Sequence, residues 1–233
     1  MGNSAALLGA LVADAASMGL HWLYDPARIA KVAQTQGTVA FCPNDPAHFD
    51  GAKGYYAHSL RRDGQFTQYG EAAYLAAQTI ATHGRFDLAL HQAAFAAHFG
   101  AGGTYQGYID RPTKGTLANI ANDQLSPSGI DDDQHPALAT LPAMVASGQT
   151  NISDAMEVTN VNAVAAEYVA LLSASLQSCI DGADLIGVLE TAAKGNPLLQ
   201  AALETRKQIQ WLTVRSPIEP AICPKAYRLR FTS

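Results

Sequence analysis

Leu7-Leu8-Gly9-Ala10-Leu11-Val12-Ala13-Asp14-Ala15-Ala16-Ser17-Met18-Gly19-Leu20-His21-Trp22-Leu23 is the stretch on which the fold turns. It is apolar enough to suggest a signal peptide or a membrane span. No basic residue precedes it, the first being Arg28, and both Asp14 and His21 interrupt it. A signal core or a spanning helix would not readily carry those two groups. Asn3-Ser4 can cap a helix here, and Asp25-Pro26 closes it. The stretch therefore reads as a buried first helix, ending near Trp22, in a soluble cytoplasmic protein. A buried carboxylate must find partners or a metal, or be neutralised. Asp14 shares one helix face with Ser17 and His21. It is either a structural acid holding a neighbouring helix end or loop, or part of a site.

Further along, the punctuation is that of helices. Residues 32–66 are rich in Gly, Pro and Asn and read as a long excursion with little regular structure, a kind of segment that is often functional. A helix is expected over Glu71 to Thr82, with Thr67 near its start and Gly84 at its end. Asp87 caps another, which reaches Phe99 and stops at Gly100-Ala101-Gly102-Gly103. Pro112 sits near the start of a short helix through Ile120. A polar loop runs from Asn122 to Gln134, and Pro136 suits the first turn of a helix ending at Gly148. Asn162 to Ile180 is the longest helix. Ala183 to Lys194 and Asn196 to about Leu212 follow. No run of alternating β-branched residues supports a sheet. The fold class is all-α, a compact multi-helix bundle forming one domain over 1–213. The tail, 214–233, carries Pro217, Pro220 and Pro224 and reads as irregular, as if the chain stopped before its fold was complete.

Composition narrows the function. A chain of 233 residues with 48% apolar residues can fill one core. Only 15% of residues are charged, against roughly a quarter in ordinary domains, which suits closely packed helices. A net charge of -5 and a pI near 5.7 exclude nucleic acid as the main partner, because no basic stripe neutralises phosphates. The basic doublet Arg61-Arg62 reads as a solvated loop. Cys42, Cys179 and Cys223 are odd in number and far apart, which fits a reducing compartment rather than a disulfide framework.

Two further segments carry polar chemistry. Gly64-Gln65-Phe66-Thr67-Gln68-Tyr69-Gly70-Glu71 delivers a hydroxyl, an amide, a phenol and a carboxylate to a helix N-terminus. Free N–H groups there favour anions; otherwise Thr67 is a plain cap. Ser126-Pro127-Ser128-Gly129-Ile130-Asp131-Asp132-Asp133-Gln134 places three carboxylates in a row. They repel one another unless solvated or bound to a cation, and magnesium would take one or two such oxygens plus waters. The other reading is an exposed acidic loop. His91 and His98 share a helix face, but seven residues separate them by roughly 10 Å, too far for one metal. No H-E-x-x-H, G-x-S-x-G or phosphate-binding Gly loop occurs.

Taken in order, these segments resemble the ADP-ribosylglycohydrolase family. Gly9 to Ala15 followed by Gly19 is similar to the family's opening G-A-x-x-G-D-A-x-G helix. Gly64 to Glu71 falls where the family has a Thr-Asp-Asp-Thr metal motif. The small-residue loop that ends the helix after it, at Gly100 to Gly103, has a counterpart there too. Ser128-Gly129, with Leu141-Pro142 after it, resembles the family's Ser-x-Gly loop and Pro-containing helix. Thr159-Asn160 stands where the family has Thr-His. The likeness runs from about residue 5 to 195.

The resemblance implies an all-α fold and a cleft where paired magnesium ions assist hydrolysis of an ADP-ribosyl bond. It implies Asp14 and Glu71 as catalytic carboxylates. Gln68, Tyr69, Ser128, Gly129 and Asn160 would contact a small-molecule or ADP-ribosylated protein substrate. Thr67, Glu71 and Asp132 would be the metal ligands, with Asp131 to Asp133 as a mobile rim. Neither nucleic acid nor a membrane is implied as a partner. Gln68 and Tyr69 replace two Asp ligands, Gly70 replaces the second Thr, and the family's last Asp-x-Asp-Thr segment has no counterpart. An amide and a phenol cannot replace two anions around a hard dication, so at most one weakly held magnesium is expected. The competing expectation is an inactive family member that binds an ADP-ribose-like ligand or serves a structural, crystallin-like role. A helical adaptor would need an exposed apolar patch.

Overall fold

A computed structural model describes residues 2–134 and 136–205. The protein is all-α. Among the described residues, β pairing is confined to two isolated bridges, Leu23 with Gly54 and Ile130 with Asn160. The helices are α1 (Gly2–Ser17), α2 (Pro26–Gln36), α3 (Gln68–His83), α4 (Leu88–Phe99), α5 (Arg111–Ala121), α6 (Leu141–Ala146), α7 (Ile152–Glu157), α8 (Ala163–Ile180) and α9 (Leu185–Ala192). Short 3-10 turns lie at Met18–Leu20, Pro46–His48 and Pro136–Thr140.

Side-chain caps start most of the helices the sequence announces. Thr67 Oγ1 accepts from the Tyr69 N–H and opens α3. Asp87, Asp110 and Asn162 do the same for α4, α5 and α8. Each cap satisfies N–H groups that a helix start leaves without an internal partner.

Several expected boundaries move. The first helix ends at Ser17 rather than near Trp22, and a 3-10 turn follows it. Asp25-Pro26 closes nothing; Asp25 caps α2 and Pro26 occupies its first turn. The excursion therefore begins with a helix. The stretch after Pro136 splits into a 3-10 turn and α6, and α7 stands where no helix was expected.

The described residues fall into two compact units that divide after Leu185. In the first unit α3 packs against α1, α4, α6 and the 3-10 turn at Pro136–Thr140. Its alanines make that density of neighbours feasible: Ala72, Ala73 and Ala76 are buried, with Leu75 and Ile80 beside them. Phe86, Phe95, Phe99, Met144 and Val158 complete this core. A second cluster, Ala137, Leu141, Met156 and Val169, seats α8. Two helical stretches, Asn3–Leu20 and Ala163–Ile180, have mean hydropathies of 1.3 and 1.4, enough by length and composition to cross a membrane. α1 packs against α3 and α6, but none of residues 3–17 is buried and Leu8 and Val12 are exposed, so the expected buried first helix is not what the structure shows. In the second unit α9 is followed by a helical stretch at 197–205, which Asn196 Oδ1 caps by accepting from Leu198 and Leu199. The expected continuation to Leu212, the irregular tail at 214–233 and Cys223 lie outside the described residues.

Candidate functional site

The polar constellation gathers where α1 meets the N-terminus of α3. Asp14 Oδ2 accepts from the Thr67 backbone N–H at 2.7 Å, and Oδ1 accepts from Thr67 Oγ1 at 2.5 Å. Thr67 is buried and Asp14 half-buried. Burial raises the Asp14 carboxyl above the usual carboxylate range, and the bonds from Thr67 pull it partly back. Gly70 makes this approach feasible: a Cβ there would come within 2.7 Å of Asp14 Cγ and 2.8 Å of Phe66 Cβ.

One turn along α3, Glu71 is held from both sides. Arg61 Nη2 donates to Oε1 at 2.5 Å, and His98 Nε2 lies 3.1 Å from Oε2. His98 Nδ1 in turn lies 2.6 Å from Thr104 Oγ1. Arg61 is fixed by donating from Nε to the Phe66 carbonyl at 2.8 Å, and its guanidinium covers the Tyr105 ring. Arg61 is thus an internal counter-ion, not half of a solvated doublet.

The residues that replace the family's two aspartates do structural work. Gln68 is buried, and its Oε1 accepts from the Asp110 N–H at 2.6 Å, tying α3 to α5. Tyr69 is half-buried. Burial first, then the Asp110 charge, holds its phenol above the ordinary tyrosine value. Asp110 is fully buried, and its Oδ2 has no hydrogen-bond partner among the described residues. A void of about 10 Å³ lies between Gln68, Tyr69, Thr113 and Thr159, roughly the room one water needs.

A second network lies beyond α5. Asp132 is buried, not part of a mobile rim; it pairs with Arg111 and accepts from the Gln134 N–H at 2.8 Å. Asp131 and Asp133 are exposed. Ser128 is sealed inside: its hydroxyl accepts from Gln92 at 2.8 Å and donates to the Val158 carbonyl at 2.9 Å. Full burial, rather than exhausted hydrogen-bonding capacity, keeps a ligand from that hydroxyl. Gly129 packs so closely that a Cβ would lie 2.5 Å from Asn160 N. Asn160 is fully buried and donates from Nδ2 to the carbonyls of Asp132 and Gln134. Asp110 and Arg111, adjacent in the chain, join this network to the first.

Thr67, Glu71 and Asp132 do not converge as a ligand set. Thr67 is spent on Asp14, Glu71 on Arg61 and His98, and Asp132 on Arg111. No group of three His, Cys, Asp or Glu side chains among the described residues is arranged to hold a metal ion. A hard dication would have to displace both Arg61 and His98 from Glu71. As arranged here, this donor set does not fit a magnesium pair.

A further pair was not foreseen. His21 Nδ1 and His58 Nε2 lie 2.7 Å apart, one donating to the other. Burial lowers both, His58 to about 4 with help from His21 and Arg61. The His21 ring sits 6.0 Å from that of Tyr69. Nothing local in the sequence links residues 37 apart, and Arg61 reaches Glu71 by the same kind of loop closure. His91 and His98, on one helix face in sequence, part company: His91 is buried against Phe86, while His98 serves Glu71.

The chain matches the ADP-ribosylglycohydrolase family over residues 4–229. Crystallin J1A of Tripedalia cystophora is 31% identical over 101 residues, covering 43% of this chain and 29% of the crystallin. Crystallin J1B of the same organism is 30% identical over 104 residues, again covering 43% and 29%. The matched part of the chain spans under a third of the length of these curated relatives. No solved structure matches it. The match over nearly the whole chain, together with an all-α fold, places this protein in the ADP-ribosylglycohydrolase family.

Proposed function

We propose that this chain is a family member that recognises an ADP-ribose-like ligand at the polar site around Asp14 and Tyr69, without the paired magnesium ions of metal-dependent hydrolysis. One observation carries the reading. Glu71, the one carboxylate in the segment 64–71, is clamped between Arg61 and His98. The Arg61 cation already balances the charge that a metal would otherwise balance, and His98 occupies the other carboxylate oxygen. Asp14, its carboxyl raised by burial and bonded to Thr67, is the acid best placed to meet a ribose hydroxyl. The natural partner is a small nucleotide conjugate or an ADP-ribosylated protein. The unpaired Cys42 and Cys179 support a reducing compartment such as the cytoplasm.

Calorimetric titration with magnesium, then with ADP-ribose, tests this, followed by ADP-ribose release from modified arginine or serine with and without chelator. The expected result is ADP-ribose binding unaffected by chelator, at most one weak magnesium event, and no magnesium-dependent release. Two tight magnesium sites, or turnover abolished by chelator, would overturn it. A second reading, a structural role of the crystallin kind, is favoured by the two crystallin relatives. It predicts no ADP-ribose binding at all.

A further inference from the structure

We infer that Thr104, His98 and Glu71 form a hydroxyl–imidazole–carboxylate relay that cleaves small activated carboxylic esters through an acyl-threonine. This activity is separate from the nucleotide reading above and does not depend on the ligand proposed there. The three side chains follow one another in hydrogen-bonding reach. Thr104 Oγ1 is 2.6 Å from His98 Nδ1, and His98 Nε2 is 3.1 Å from Glu71 Oε2. Glu71, paired with Arg61, can only accept. Facing it, Nε2 carries the ring proton, which leaves Nδ1 to accept from the Thr104 hydroxyl. In that order of roles an imidazole draws the proton from a nucleophile.

Each member is held from outside the relay. Arg61 Nη2 donates to the other oxygen of Glu71, which leaves Oε2 for His98. The His98 ring packs edge-on against Phe99, with centroids 4.7 Å apart, and lies 6.0 Å from the Tyr105 ring. The chain after α4 doubles back over this ring. The Tyr105 N–H donates to the His98 carbonyl at 2.9 Å. Gly103 makes the return feasible, since a Cβ there would lie 2.8 Å from the His98 carbonyl carbon. The turn at Gly100 to Gly103 thus sets Thr104 against the imidazole.

Exposure runs in the direction the chemistry needs. Thr104 is exposed, while the side chains of His98 and Glu71 are 18% and 17% exposed. The nucleophile meets a substrate in solvent, and the proton carrier is shielded behind it. In the acylation step Thr104 Oγ1 bonds to the ester carbonyl carbon and its proton passes to His98 Nδ1. The bond from that carbon to the leaving oxygen breaks, and His98 returns the proton to the departing alcohol. Water then adds to the acyl-threonine, giving a proton to Nδ1. The carboxylic acid leaves, and Thr104 recovers its proton. The backbone N–H groups of Gly102 and Thr104 donate no hydrogen bond among the described residues, so donors stand beside the hydroxyl for the carbonyl oxygen as it gains charge.

The full chain is mixed with p-nitrophenyl acetate. Nitrophenolate release is followed, and peptide mass spectrometry of the quenched protein locates the acetyl group. The expected result is a burst of nitrophenolate and an acetyl ester on Thr104. Thr104→Ala, at an exposed position and checked for folding by circular dichroism, should abolish both, and Thr104→Ser should restore both. His98→Gln, checked in the same way, should slow acylation of Thr104 roughly a hundred-fold or more. Acetyl groups on lysines alone, or no burst, would overturn the relay. So would a Thr104 ester that forms equally fast in a folded His98→Gln. Should His98→Gln not fold, the Thr104→Ala and Thr104→Ser pair decides the matter. ADP-ribose calorimetry reads the nucleotide proposal separately, so either can fail while the other stands.

Discussion

At Asp14 one carboxylate takes both hydrogen bonds that Thr67 can give, one from the backbone and one from the hydroxyl. The same hydroxyl caps α3 by accepting from Tyr69, so a single threonine closes a chain of bonds from α1 to α3. Removing the acceptor leaves a buried N–H and a buried O–H without partners, a loss of about 1–3 kcal/mol. Asp14→Ala should therefore lower the urea midpoint with an unchanged m-value, and Asp14→Asn, which keeps one acceptor, should fall between it and the parent. An unchanged midpoint in Asp14→Ala would show that water already serves Thr67. Asp14 and Thr67 were legible in the sequence because a carboxylate among alanines and a threonine before a helix carry their meaning locally. Arg61 was not, because its partner Glu71 is reached only when residues 62–70 fold back. Asp132 was misread for the same reason, since nothing near it in sequence announces Arg111 as its counter-ion.

α3 shows how packing reverses a propensity. In an exposed helix, alanine in place of glycine stabilises by about 1 kcal/mol. Gly70 lies in the first turn of α3, where a Cβ would meet Asp14 Cγ at 2.7 Å and Phe66 Cβ at 2.8 Å. Gly70→Ala should therefore destabilise, and thermal melts should show a lower midpoint than the parent's. A raised midpoint would mean that α1 can shift aside without cost. The elements that were legible are those with a cap at one end and a glycine or apolar periodicity at the other, such as α3, α4 and α8. α2 was missed because Asp-Pro serves equally as a stop and as a start, and here Asp25 accepts from the Arg28 N–H. The six-residue α7 was missed because it is too short for periodicity to register; burial of Ala155 and Met156 decides it instead.

Over the whole molecule, burial sets charge states and so ties stability to pH. His58 and His91 are 2% and 1% exposed. Burial lowers both to about 4, His91 among Thr79, Phe86 and Phe95, and His58 beside His21 and Arg61. In the unfolded chain each returns to about 6.5. Between those two values the unfolded state binds protons that the fold refuses, so stability is full above pH 6.5 and is lost as pH falls toward 4. Each histidine contributes a slope of at most about 1.4 kcal/mol per pH unit in that window. Asp14 has the opposite sign: its raised carboxyl takes up a proton in the fold before it does so in the unfolded chain, which softens the decline at the acidic end. Urea midpoints from pH 8 to pH 4.5 should be level down to about 6.5 and then fall. His91→Phe keeps an aromatic ring in an aromatic pocket and removes one titration while His21 and His58 keep theirs, so its slope below pH 6.5 should be shallower than the parent's. A slope that His91→Phe leaves unchanged would mean that the ring already carries its proton in the fold.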